Sequence, residues 1–235
     1  MTVPALRRAV RAEWGPLFGT VWRGLRTKKL RAIPMTIAAV CLTSLFQIVQ
    51  NQSWGYQPVQ NLGSVRAEEP LWLGLLRTPL SLFVPALDLP VWGALAQLLV
   101  VFGISEICLG WWRTLVGAYV ATLAGTMYAR LGIALGPDNF FGLPASDAHV
   151  NDTGPSAAVV GLAIFVCWRY RAWFTCFLVV AAMFYEVLFI KNNLAGREHI
   201  AAVVVVLAAC GVWEVWHQKR KPRDAHRGKG ADPHL

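Results

Sequence analysis

Apolar residues gather along this chain into six long runs separated by short polar breaks. The runs cover roughly 33–50, 89–112, 114–134, 154–168, 173–190 and 198–216. Each is near the helix length that crosses about 30 Å of hydrocarbon at about 1.5 Å per residue. The pattern predicts an all-α, polytopic membrane protein with six spans. Ahead of the first run, segment 5–24 sets Leu6, Val10, Trp14, Leu17 and Val21 among arginines, as in a helix lying on a membrane surface. Between the first two runs, Leu71 to Val84 is apolar but broken by Pro70, Pro79 and Pro85. A stretch too broken to span reads as an element half-embedded in the outer interface, or as a loop packed over the bundle. The expected organisation is a basic amphipathic N-terminal segment (1–32), a membrane domain (33–216) and a basic tail without regular structure (217–235).

Composition agrees with the pattern. The chain is 56% hydrophobic and 15% charged, with a mean hydropathy of +0.46. Soluble globules of this size carry roughly a quarter charged residues, so that class is excluded. The net charge of +9 concentrates at the ends. Residues 1–32 hold Arg7, Arg8, Arg11, Arg23, Arg26, Lys28, Lys29 and Arg31 against Glu13 alone, and the tail from His217 is also basic. Short basic ends flanking spans mark the cytoplasmic side and touch anionic lipid, which leaves nucleic acid out of the expected partners. Arg113 and the pair Arg169/Arg171 then fall in inner turns. The outer loop 135–153 carries Asp138, Asp147 and Asp152 with no Lys or Arg, whereas Lys191 and Arg197 run against the rule. The first apolar run follows a segment too long and polar for a signal peptide and is expected to be retained. Arginine- and alanine-rich composition suggests a bacterial plasma membrane. Cys41, Cys108, Cys167, Cys176 and Cys210 all fall in apolar runs without metal-ligand spacing, so they read as packing residues. No metal or cofactor is expected.

The candidate chemistry lies in the fourth and sixth runs. Ser156 follows Asp152-Thr153-Gly154-Pro155 and opens the fourth, and His199 opens the sixth. Ser156 to Arg169 is about 20 Å of helix and His199 to Glu214 about 22 Å, so the two lie at matched depth. A hydroxyl and an imidazole inside hydrocarbon are costly and point to function, here a nucleophile and its base. The polar stretch before Ser156 needs protein or water around it, so a cavity open to the outer face is expected. The Ser156 backbone N–H, at a helix start, would face a developing oxyanion. Glu198, next to His199, is expected to point elsewhere, which leaves a dyad. Glu186 is expected to snorkel. Glu106, near the inner end of the second run, reads as structural, bonded to loop backbone or to Arg113.

On these residues the chain resembles the rhomboid intramembrane serine proteases. Gly154-Pro155-Ser156-Ala157 is similar to their Gly-x-Ser motif on helix four, and His199-Ile200-Ala201-Ala202 to their histidine region, with Ala202 for the usual glycine. Gly103, Glu106 and Gly110, followed by Arg113, resemble the run at the inner end of their second helix. The resemblance covers 33–216 and implies a six-helix bundle with a half-embedded first outer loop. It also implies cleavage of transmembrane segments by a Ser156–His199 dyad. The family's oxyanion-binding His and Asn on helix two would fall at Pro90 and Ala94, which have no side-chain donor. Gln97, His149 and Asn151 are the candidate replacements. Two readings therefore stand: an intramembrane protease acting on transmembrane substrates, or a weak or inactive relative that binds membrane-protein clients.

Overall fold

The computed structural model describes residues 3–86, 90–190 and 193–227. Residue 89, at the expected start of the second span, Lys191 and the tail from 228 lie outside these. The described residues are helical apart from loops and one isolated β-bridge. In chain order the α-helices are α1 (Val3–Lys28), α2 (Pro34–Gln50), α3 (Tyr56–Gly63), α4 (Leu71–Ser81), α5 (Val91–Gln97), α6 (Gly103–Leu109), α7 (Trp111–Leu135), α8 (Ser156–Tyr170), α9 (Trp173–Tyr185) and α10 (Leu194–Arg227).

Four segments are long and apolar enough to cross a membrane: Val91–Leu109, Trp111–Leu135, Trp173–Ile190 and Leu194–Trp216. The pair Val3–Ala32 and Pro34–Gln50, bent by 55°, adds a fifth if it is counted as one span. The expected count was six. The difference is length: α2 has 17 residues and α8 only 15. Fifteen residues rise about 22 Å, short of the ~30 Å of hydrocarbon.

Several boundaries move from their expected places. Gly110, at φ 85°, ends α6 in a conformation that suits glycine, so Trp111 and Trp112 belong to α7. A π-helical turn over Leu98–Phe102 joins α5 to α6. Leu71–Ser81 is one helix: Pro70 precedes it, and Pro79 falls in its last turn without breaking it. α10 starts at Leu194 because Asn193 caps it, its Oδ1 accepting from Gly196 N at 3.1 Å. His199 is therefore in the second turn and does not open the helix. α10 also continues through Arg227, so the start of the expected irregular tail is helical.

Helices α7, α8 and α10 pack most extensively against one another. Small residues make this possible. A Cβ on Gly161 would lie 2.4 Å from Ala121 Cβ and 3.2 Å from Val206 Cγ2, and one on Gly125 would lie 3.1 Å from Glu198 Cβ. Apolar side chains gain little by leaving lipid for one another, so close backbone approach and dispersion carry such contacts. Ala121, Val160, Ile164, Cys167, Ala202, Val203, Val206 and Cys210 form the resulting core, which takes in the buried Cys176 of α9. Only 11% of the apolar window of Trp173–Ile190 is buried, which makes this segment the edge of the bundle.

Helix ends on one side are held by carboxylates from distant elements. Glu106 accepts hydrogen bonds from Met35 N (2.9 Å), Thr36 N (2.8 Å) and Thr36 Oγ1 (2.8 Å), so it caps α2 from α6. The expectation of backbone partners holds, but the partners are a helix N-terminus and not Arg113, which is exposed. Glu13 does the same for α9, accepting from Thr175 N at 2.8 Å and Thr175 Oγ1 at 3.1 Å. Trp14 Nε1 donates to the same Thr175 hydroxyl, so α1 is tied to the bundle.

Replacing Glu106 with Ala leaves the buried Thr36 amide and hydroxyl without an acceptor. We expect a loss of about 3 kcal/mol. Unfolding in detergent micelles followed by circular dichroism should show this, with Glu106→Gln recovering part of it.

Candidate functional site

The loop before Ser156 is fastened from the opposite side. Val65 and Asp152 exchange both backbone hydrogen bonds (3.1 and 2.9 Å), and Gly154 N donates to Ser81 O at 2.8 Å. Gly154 has φ 106°, a region that side chains rarely adopt. The chain thus turns sharply into Pro155 and Ser156. Pro155 offers no side-chain cap to α8, so the first-turn amides of Ser156 and Ala157 keep their donors available. Both residues line a cavity of about 510 Å³. Its other polar walls include Gln60, Asp147, Asn151, Asp152, Asn193 and Glu198. A cavity ahead of Ser156 was expected; a ring of carboxylates around it was not.

The helix register brings His199 close to the level of Ser156. Gly161 meets Val206, and Trp168 Nε1 donates to Glu214 Oε2 at 3.2 Å, so α8 and α10 run alongside each other in the same direction. Counting back about 5 and 7 residues from the first contact leaves His199 about 3 Å above Ser156 along the helix axes. His199 also continues the face of Ala202, Val203 and Val206, which pack with Val160, one turn below Ser156. The two side chains belong to facing surfaces at one end of the α8–α10 contact.

They are not hydrogen-bonded. Neither imidazole nitrogen of His199 has a hydrogen-bond partner among the described residues, although the side chain is only 12% exposed. The α10 wall of the cavity consists of Leu194, Ala195 and Glu198, without His199. The nearest carboxylate to the ring is Glu186 Oε2, 3.9 Å from Nδ1. Glu186, expected to snorkel, instead approaches the histidine from a π-helical turn over Glu186–Ile190. Such turns recur at functional sites. An acid on the Nδ1 side of the ring is a neighbour the sequence did not reveal.

The candidate oxyanion side chains separate. Asn151 lines the cavity, with its Oδ1 taken by Arg66 Nε at 2.6 Å. His149 is exposed and paired with Glu68, away from the cavity. Gln97 is exposed on α5 and does not reach the cavity either. Both are corrected as oxyanion donors: α5 turns residue 97 outward, and the salt bridge draws His149 to the first outer loop. Of the motif residues, Glu106 caps α2, Gly110 makes the α6–α7 turn and Gly154 the turn before α8. Ala202 is fully buried in the core. Arg113 is exposed, and Glu106 bonds to Met35 and Thr36 instead.

Glu198 points away from His199, as expected, but into a place the sequence did not indicate. It is 5% exposed, its Oε1 has no partner, and it lines the Ser156 cavity against Gly125. A carboxylate in the first two turns of an apolar span was the available signal. No group of three or more His, Cys, Asp or Glu among the described residues is arranged to hold a metal ion.

Burial pushes the Asp152 carboxyl, in the outer loop, up from 3.8 to about 6. Asp147 and Glu198 are the charged groups sharing its cavity. Between about pH 4 and pH 6 the folded protein keeps a proton that the unfolded chain has lost, so stability falls as pH rises through that window. Melting temperatures in detergent from pH 4 to 7 should show this slope, and Asp152→Asn should flatten it.

No protein-family model matches this chain, and neither a curated protein nor a solved structure matches it.

Proposed function

We propose that the chain is a slow, six-span rhomboid-like serine protease that cleaves transmembrane segments of membrane proteins. In this reading α2 and the short α8 complete the six crossings with the four long segments, and Leu71–Ser81 lies half-embedded at the outer interface. The basic ends face the cytoplasm, where α1 and the tail meet anionic lipid of a bacterial plasma membrane. A client helix unwinds near its outer end and presents a peptide bond to Ser156. His199 Nε2 takes the hydroxyl proton as the Ser156 oxygen attacks, and the amides of Ser156 and Ala157 receive the oxyanion. The proton passes to the leaving amine, and cavity water then hydrolyses the acyl-enzyme. Glu186 holds the ring through Nδ1, as a positioning residue.

The observation that carries the reading is the α8–α10 register, which levels Ser156 with His199 across a shared core. Proton transfer needs about 2.6–3.2 Å, and catalytic contacts often tighten only when substrate is bound. Slow turnover follows from the oxyanion site. It lacks side-chain donors at Pro90 and Ala94, and loss of one such donor costs about 10²–10³ in rate.

A second reading, a client-binding relative without hydrolysis, is favoured by the unbonded imidazole and the three carboxylates around Ser156. Labelling with a fluorophosphonate probe separates the two. For the protease, wild type labels, Ser156→Ala does not, His199→Ala slows labelling by about 10²-fold or more, and Glu186→Gln slows it by about tenfold. Equal labelling of all four proteins would remove the catalytic reading and leave the client-binding one.

A further inference from the structure

Two buried polar side chains face the Ser156 cavity with nothing to bond. Glu198, on α10, is 5% exposed with Oε1 unpartnered, and Gln60, on α3, is 3% exposed with both amide atoms unpartnered. Both line the cavity, with Asp147 and Asp152 from the outer loop. A small annex lined by the same three carboxylates continues from it. None of the ion pairs found among the described residues involves Asp147, Asp152 or Glu198. The nearby described cations are engaged: Arg66 bonds Asn151, Arg77 pairs with Glu69, Arg130 donates to the carbonyls of Glu69 and Arg66, and Arg197 donates to Gly142 O.

A buried carboxylate is costly unless a cation or several donors meet it, and an unsatisfied buried amide is costly as well. Among the described residues the cavity therefore lacks one kind of group, a positive charge with several N–H donors. We propose that this cavity is a recognition pocket for an ammonium or guanidinium group, supplied by a Lys or Arg side chain just outside the membrane on the client's span. Glu198 and Asp152 neutralise the charge, Asp147 adds to the field, and Gln60 Oε1 accepts a further N–H. A volume of about 510 Å³ admits such a side chain together with water. The shape also favours it over a bare metal ion, since the acids are not grouped at ligating distance. The raised Asp152 carboxyl, about 6 without a cation, fits a group awaiting a positive partner.

The proposal rests on reading the Ser156 cavity as the client site, and its chemistry does not depend on hydrolysis. It is therefore tested on full-length Ser156→Ala protein in detergent micelles. Fluorescent single-span peptides, identical except for Lys, Arg, Met or Glu next to the outer end of the span, are titrated by anisotropy at pH 7.5. Lys and Arg peptides should bind about tenfold tighter than Met, and Glu weaker than Met. Adding Glu198→Gln or Asp152→Asn should shrink the Lys-to-Met ratio towards one. Free ethylammonium at high concentration should compete for the pocket and erode the Lys preference; a preference that persists at saturating ethylammonium would overturn the proposal. Equal binding of Lys and Met peptides would overturn the proposal. So would a Lys preference that survives both carboxylate substitutions, or calcium stabilising the protein while the peptides fail to discriminate. If a variant does not fold, the peptide series on the Ser156→Ala protein still decides. Loss of probe labelling bears on the protease reading alone.

Discussion

The contact between α7, α8 and α10 is the constraint on which the site depends. Gly161 has no side chain where Ala121 presses closest, and Gly125 has none where the Glu198 stem crosses. With a methyl at either place, neighbouring backbones must separate by some tenths of an ångström or more. Packing of this kind is intolerant because interiors hold few voids and lipid offers no hydrophobic gain to offset a poor fit. The same contact fixes the sliding position of α10 against α8. It thereby sets the level of His199 relative to Ser156 and turns Glu198 into the cavity.

Polar groups divide by how they are satisfied. Glu106 and Glu13 each accept bonds from helix amides across the bundle. An ionised acid against a positive helix end is stabilising, so these carboxylates fasten elements that are remote in sequence. On the other side, the fastening is by backbone: Val65 with Asp152, and Gly154 with Ser81. Glu198 and Gln60 have neither arrangement. Their unmet hydrogen bonding is one departure from the rule that buried polar groups are paired, beside those at Thr43, Gln50, Ser105, Arg130 and His199, and it borders the serine.

That placement also bears on rate. Ionised carboxylates near Ser156 oppose the negative charge of a tetrahedral intermediate, whereas the α8 amides favour it. A cation in the cavity changes the balance, because it neutralises the acids in the low-dielectric region where the oxyanion forms. On the proposed protease reading, client recognition and chemistry would be coupled through one local field. An acid-lined cavity without its cation is a poor place for acyl transfer.

The sequence by itself determined the apolar runs, the helix start at Pro155-Ser156 and a structural, backbone-bonded role for Glu106, because hydropathy and local turn chemistry act over short stretches. It located α8 to within two residues, since Gly-Pro ahead of an apolar run both ends a loop and permits a helix. It misplaced Glu186, His149 and Gln97 and left the destination of Glu198 open, because their neighbours come from other elements. Which way residue 198 faces depends on the rotation of α10, and that rotation is set by Gly125 and Gly161 more than 30 residues away in the chain. The approach of Glu186 to His199 depends in turn on a π turn at the end of α9, where one extra residue per turn re-aims a side chain. Only the packed structure decides such angles, because helix rotation is fixed by shape complementarity between faces, which periodicity alone leaves undetermined.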